Sequence, residues 1–258
     1  MSEELVTYEV RDGVAYLMLN RPDKLNAMSD ALSDRMMALW AEVERDPQVK
    51  VAILSAAGKH FCAGADLEAT DFSGALPGIR QHQVYTSNGI SRFKPVVGVV
   101  QGYALGAGYA LAVCGCDVVI ASGDALFGFP EARAGVALGP PQPSSYMPFK
   151  VSLEFMLLGW KGGQLMPADR AYSLGLVNKV VPREALMDEA KVWAHQLTLI
   201  PPLFVRSVKA GHYRAAAGHT AQSERDYLEY VLPQAVSDDA KESLAALRER
   251  RDPVFKGS

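Results

Sequence analysis

The chain is poor in cysteine, in net charge and in long apolar runs, and each shortage removes a class of function. Its three cysteines, Cys62, Cys114 and Cys116, lie in apolar stretches with no histidine or cysteine partner at zinc-like spacing. They read as small packing residues of a reducing compartment, so neither a disulfide framework nor a metal centre is expected. The formal net charge of −3, spread over interspersed acids and bases, offers no field for a nucleic-acid partner. No uninterrupted apolar stretch approaches the roughly 18–20 residues that span a bilayer, so no membrane partner is expected. Met1-Ser2-Glu3-Glu4 is acidic and lacks the basic and apolar regions of a secretion signal, which points to a cytoplasmic protein. One absence is local: no Asp or Glu occurs between Asp71 and Asp117.

What is present suits a globular protein. Of 258 residues, 49% are hydrophobic and 21% charged, enough for one large domain or a core with a helical appendage. Val14 to Leu19, Val49 to Leu54 and Val96 to Val100 read as strands, with shorter ones at Val118 to Ala121 and Ala125 to Phe129. Leu32, Met36, Leu39, Trp40 and Val43 share one helical face, opened by Ser29 as N-cap and closed by Asp46-Pro47. Asp71 to Phe93 is poorly patterned and is expected to hold one helix and a loop. From about residue 143 the pattern turns helical, with a last strand at Val177 to Val181. Leu186, Ala190, Trp193, Ala194 and Leu197 mark another one-faced helix. Strand and helix alternating in this way predict an α/β core with parallel pairing.

Two strands run into small residues. His60 to Leu67 reads HFCAGADL, and Gln101 to Asp117 reads QGYALGAGYALAVCGCD. Small residues after a strand let a ligand approach the main chain closely. Two such turns can aim two backbone N–H groups at one oxygen, an oxyanion hole suited to an enolate. Gly106-Ala107-Gly108 also invites a dinucleotide-binding reading. Position 111 is leucine instead of the third glycine, and Asp117 comes too early for a ribose-binding acid, so NAD is excluded. Glu131 stands in Phe127-Gly128-Phe129-Pro130-Glu131, where apolar neighbours would raise its pKa and suit it to proton transfer at carbon. The same position also reads as a first-turn acid after a helix-opening proline.

Taken together, the FCAGADL and GYALGAG segments followed by FGFPE resemble the crotonase superfamily of enoyl-CoA hydratases and isomerases. Arg21-Pro22 through Asn26-Ala27, Gly175 to Pro182 and Phe255-Lys256 match further family motifs in the expected order. The resemblance implies a β-β-α spiral core over residues 1–195 and a C-terminal helical trimerisation region over 196–258. It implies a homotrimer or dimer of trimers and an acyl-CoA thioester substrate, with no cofactor beyond coenzyme A as part of that substrate.

By position, it makes the backbone amides of Ala65 and Ala107 the oxyanion donors and Glu131 the catalytic acid/base. Lys24, Leu25, Ala63, Ala65 and Asp66 would line the coenzyme. Phe255 and Lys256 would reach a neighbouring subunit's coenzyme. The hydratases' second glutamate falls at Ala110 here, or at Leu111, because the chain has one extra residue before Cys116-Asp117. Tyr109 borders that place as a packing residue or a proton donor. A lone carboxylate favours a 3-enoyl to 2-enoyl double-bond shift. A hydratase or related lyase, and a non-catalytic acyl-CoA-binding relative, are the alternatives.

Overall fold

The computed structural model describes residues 4–66, 84, 92–130, 147–160, 164–216, 237–249, 251 and 253–257. A six-stranded sheet organises them. Its strands β1 (Val6–Arg11), β2 (Val14–Leu19), β3 (Val51–Ala56), β4 (Val96–Val100), β6 (Val118–Ser122) and β9 (Lys179–Val181) lie in that spatial order. β1 and β2 form an antiparallel hairpin, and every later pairing is parallel. A smaller sheet joins β5 (Tyr103–Leu105), β7 (Leu126–Gly128) and β8 (Met166–Pro167). The hairpin turn Asp12-Gly13 has positive φ at both residues, a signal that a search for apolar runs passes over.

The central strands are apolar throughout because both faces are covered. Along β3, Ala52 and Leu54 enter the core cluster that contains helix α1 (Asp30–Arg45). Val51 and Ile53 enter the cluster on the other face, against Leu186, Ala190 and Ala194. That is the two-residue alternation of a strand used on both sides. Leu32, Met36, Leu39, Trp40 and Val43 of α1 are all buried, and the Ser29 hydroxyl accepts from Leu32 N at 3.2 Å. Each such buried side chain contributes roughly 1.5–3 kcal/mol.

Beyond β5 the chain forms α2 (Ala107–Tyr109), which continues without a break into a π-helical turn, Ala110–Cys114. The remaining helices are α3 (Phe149–Leu158), α4 (Ala168–Ser173), α5 (Leu186–Thr198), α6 (Pro202–Ala216) and α7 (Asp238–Glu249). α5 covers one face of the large sheet. α6 is fastened by Lys209, whose Nζ donates to Asp117 and to the Lys94 carbonyl, both at 2.8 Å. The expected strand boundaries shift by one or two residues at β3, β7 and β9. The short β5 emerges from what the sequence shows only as a glycine-rich turn, because its partner, β7, is supplied by tertiary structure. Among the described residues no helix is long and apolar enough to cross a membrane. The fold is mixed α/β.

Candidate active site

β3 and β4 are neighbouring parallel strands, so the chain leaves both at the same carboxyl edge, where open α/β sheets place their ligands. The segment after β3 is stitched to the segment after β4. Phe61 N donates to Gln101 O at 2.8 Å, Cys62 N to Tyr103 O at 2.9 Å, and Leu105 N to Cys62 O at 3.0 Å. Its other side is stitched to the 25–28 loop. Ala63 N donates to Leu25 O at 3.0 Å, Met28 N to Gly64 O at 2.8 Å, and Asp66 N to Met28 O at 2.9 Å.

This pattern decides where Ala65 points. In a parallel bridge the residues flanking Ala65 bond to Met28, so the N–H of Ala65 faces the opposite way, toward the second turn. Two glycines allow the turns to touch. Gly64, at φ +107°, lies against the Leu105 carbonyl, and a Cβ built on it would stand 4.0 Å from Ala107 N. Gly108 packs on Cys62 with no space for a side chain. Ala107 opens α2, so its N–H has no helical acceptor and sits at the positive end of the helix. Among the described residues, neither the Ala65 nor the Ala107 amide meets an acceptor.

A third segment arrives at this seam. β7 pairs with β5 in parallel, and Gly106 N donates to Gly128 O at 2.9 Å. Residues following Gly128 therefore leave beside the start of α2, and Phe129 and Pro130 lead to Glu131. Glu131 itself, like the proline-rich stretch 139–145, lies outside the described residues.

Sequence reading gave no individual role to Arg21 or Asn26, which brace the first turn together with Asp66. The Arg21 guanidinium donates to Ala27 O at 2.6 Å and to the Asp66 carboxylate at 3.0 Å. Asn26, fully buried at φ +54°, accepts from Arg21 N at 2.8 Å and donates to the Ala57 and His60 carbonyls at 2.9 Å. The Arg-Pro to Asn-Ala motif is thus a bracket under Ala63–Asp66. The signal in the sequence was the motif itself; the partners became visible only in space.

The other candidates separate into groups. Leu25, 44% exposed, lies beside Ala63, with exposed Lys24 next to it, and Asp66 is bonded to Met28 of the same loop. Tyr109 is buried among aromatic rings, 4.7 Å from Phe155 and 6.4 Å from Phe127 between centroids. Ala110 and Leu111 are both buried and apolar. Phe255 lies over Lys50, and Asp239 accepts from Lys256 N and Gly257 N, both at 2.8 Å. Lys50 precedes β3 whereas Ala63 and Ala65 follow it, so Phe255 is a strand length, about 20 Å, from its own chain's seam.

Known proteins resemble this chain along nearly its whole length. The sequence model of the enoyl-CoA hydratase/isomerase family matches residues 9–258. The chain is 32% identical to (E)-benzylidenesuccinyl-CoA hydratase of Thauera aromatica, over 98% of this chain and 99% of that protein. It is also 32% identical to carnitinyl-CoA dehydratase of Citrobacter koseri, over the whole length of both. The crystal structure of an enoyl-CoA hydratase from Mycobacterium tuberculosis superposes with a TM-score of 0.86 at 30% identity, covering 99% of this chain and 100% of that one. This chain therefore belongs to the enoyl-CoA hydratase/isomerase family, within the crotonase superfamily.

Proposed function

We propose that the chain binds an acyl-CoA thioester with its carbonyl oxygen between the Ala65 and Ala107 amides and forms an enolate there. The observation that carries this reading is the seam itself, where neither amide meets an acceptor among the described residues. An N–H donor of this kind is worth about 3 kcal/mol to the transition state. Glu131 takes a proton from the α-carbon, the dienolate charge rests on the two amides, and the protonated acid returns the proton at the γ-carbon. The double bond shifts from the 3- to the 2-position, with no net gain or loss of atoms.

Ala110 and Leu111 favour this one-acid reaction, since neither can hold or activate water. A second reading, addition or removal of water, is favoured by the relatives, which are named as hydratase and dehydratase. Lys24, Leu25, Ala63 and Asp66 would border the coenzyme. Phe255 and Lys256 serve a neighbouring copy's coenzyme in a trimeric, cytoplasmic enzyme. Incubating purified protein with 3-enoyl-CoA and, separately, with 2-enoyl-CoA separates the readings. A shift of the former, abolished in Glu131→Gln, supports the isomerase. Rapid hydration of the latter without any shift replaces it with the hydratase. Tight thioester binding with no turnover, unaltered in Glu131→Gln, defeats both.

A further inference from the structure

A buried cation outside the seam is tied to the helix that supplies Ala107. Arg92 is 1% exposed, and its guanidinium lies 4.4 Å from the centroid of the Trp40 ring. Nη1 donates to Val84 O at 3.2 Å and Nη2 to Gly115 O at 2.7 Å. Among the described residues no carboxylate forms an ion pair with it. Burying a guanidinium is costly, so the carbonyls it holds point to its task.

Gly115 is the residue that closes the π turn. Its N–H donates to Ala110 O at 2.9 Å, five residues back, where an α-turn would reach four. A π turn holds one residue more than an α-turn does over the same span. The carbonyl at its end, at the negative pole of the helical segment that begins with Ala107, faces the Arg92 cation. The next corner is fixed independently. Asp117 accepts from Val96 N at 2.7 Å, Lys209 Nζ at 2.8 Å and Tyr213 Oη at 2.9 Å. With that corner anchored, the helical register between Ala107 and Gly115 depends on what keeps the π turn closed.

We propose that Arg92 is a positioning residue for the Ala107 amide: by holding the Gly115 carbonyl it fixes the π-turned register of Ala107–Cys114, and with it the direction of the first N–H. The consequence for catalysis rests on the oxyanion reading above; the hold on the helix does not. Without the guanidinium nothing holds the Gly115 carbonyl, and the segment samples α and π registers that aim Ala107 differently.

Arg92→Met removes the donor while keeping much of the volume, and Arg92→Lys keeps the charge without the fork. Amide hydrogen exchange, read without ligand, should rise about tenfold or more over 107–116 in Arg92→Met and stay unchanged over 60–66 and β3. Carbon-13-labelled 2-butenoyl-CoA should show a smaller carbonyl infrared shift on binding. Turnover of 3-butenoyl-CoA should fall about 10- to 100-fold in kcat with KM altered less than about threefold. Arg92→Lys should lie between, and carries the same comparison if Arg92→Met does not fold. Exchange over 107–116 that matches wild type, or that accelerates equally along the whole chain, overturns the positioning role. A wild-type complex with no carbonyl shift overturns the oxyanion reading instead, while the exchange comparison still decides whether Arg92 holds the helix.

Discussion

The α-carbon of Gly108 rests on Cys62: a methyl group added there would stand 2.8 Å from the Cys62 Cβ and nearer still to its carbonyl oxygen. The two small-residue turns touch through this contact. Gly108→Ala must push α2 off the first turn. The expected cost is about 1–3 kcal/mol of stability from overpacking, measured as a lower urea midpoint. Turnover should fall by more than the unfolded fraction explains, because the distance between the Ala65 and Ala107 amides changes. An unchanged midpoint and rate would show that the turns can part without consequence.

Arg21 and Asp66 form an ion pair at 3.0 Å, with side chains 18% and 8% exposed. Breaking such a pair from one side costs up to about 3–5 kcal/mol, much of it the penalty of the charge left behind. Asp66→Asn and Arg21→Lys should both lower Tm and slow turnover, since both loosen the bracket under Ala65. A double-mutant cycle should return a coupling of about 0.5–3 kcal/mol. Strict additivity would mean that the pair braces nothing.

His60 links the two turns through a side chain. Its Nδ1 accepts from Tyr103 N at 3.1 Å while the ring stacks on Tyr103 with centroids 4.4 Å apart. An imidazolium cannot accept that bond. Burial first, then Lys59 and Arg183, push the His60 pKa below its usual value, with Asp124 opposing. The unfolded chain therefore takes up this proton before the folded one does. The contribution to stability is complete above about pH 6.5 and is lost as pH falls through the lowered folded value. Urea unfolding between pH 7.5 and 5 should show this loss in wild type. It should flatten in His60→Asn, which retains an acceptor near the Nδ1 position. Equal slopes in both proteins would remove His60 from the account.

Cys114 and Cys116 are fully buried, and desolvation pushes both thiols up to about 12. Only the thiolate reacts, so a thiol reagent at pH 8 should leave both untouched in the folded protein and modify them once urea unfolds it. Both thiols are raised relative to the unfolded chain, so their contribution to stability is intact below about pH 9. It is lost as pH climbs from there through about 12. Stoichiometric labelling of either residue in the native protein at pH 8 would contradict the burial.

The strands and the two one-faced helices were legible because burial on a period of two or 3.6 writes itself into consecutive residues. α1 follows this closely, from its Ser29 cap to its end at Arg45. Both small-residue turns were legible too, since only glycine and alanine fit where main chains cross closely. β1 was missed because its outward positions carry Thr7, Glu9 and Arg11, which read as loop polarity until β2 pairs with them.

By itself the sequence determined the alternating α/β pattern and both small-residue turns. Tertiary structure alone decided what braces them: Arg21 on Asp66, Gly108 on Cys62, and Arg92 on the carbonyl that ends a π turn. Local pattern records which face of an element is buried. A contact between residues 23 or 45 positions apart leaves no periodic trace, because the bond is made by the fold and not by the neighbours in the chain.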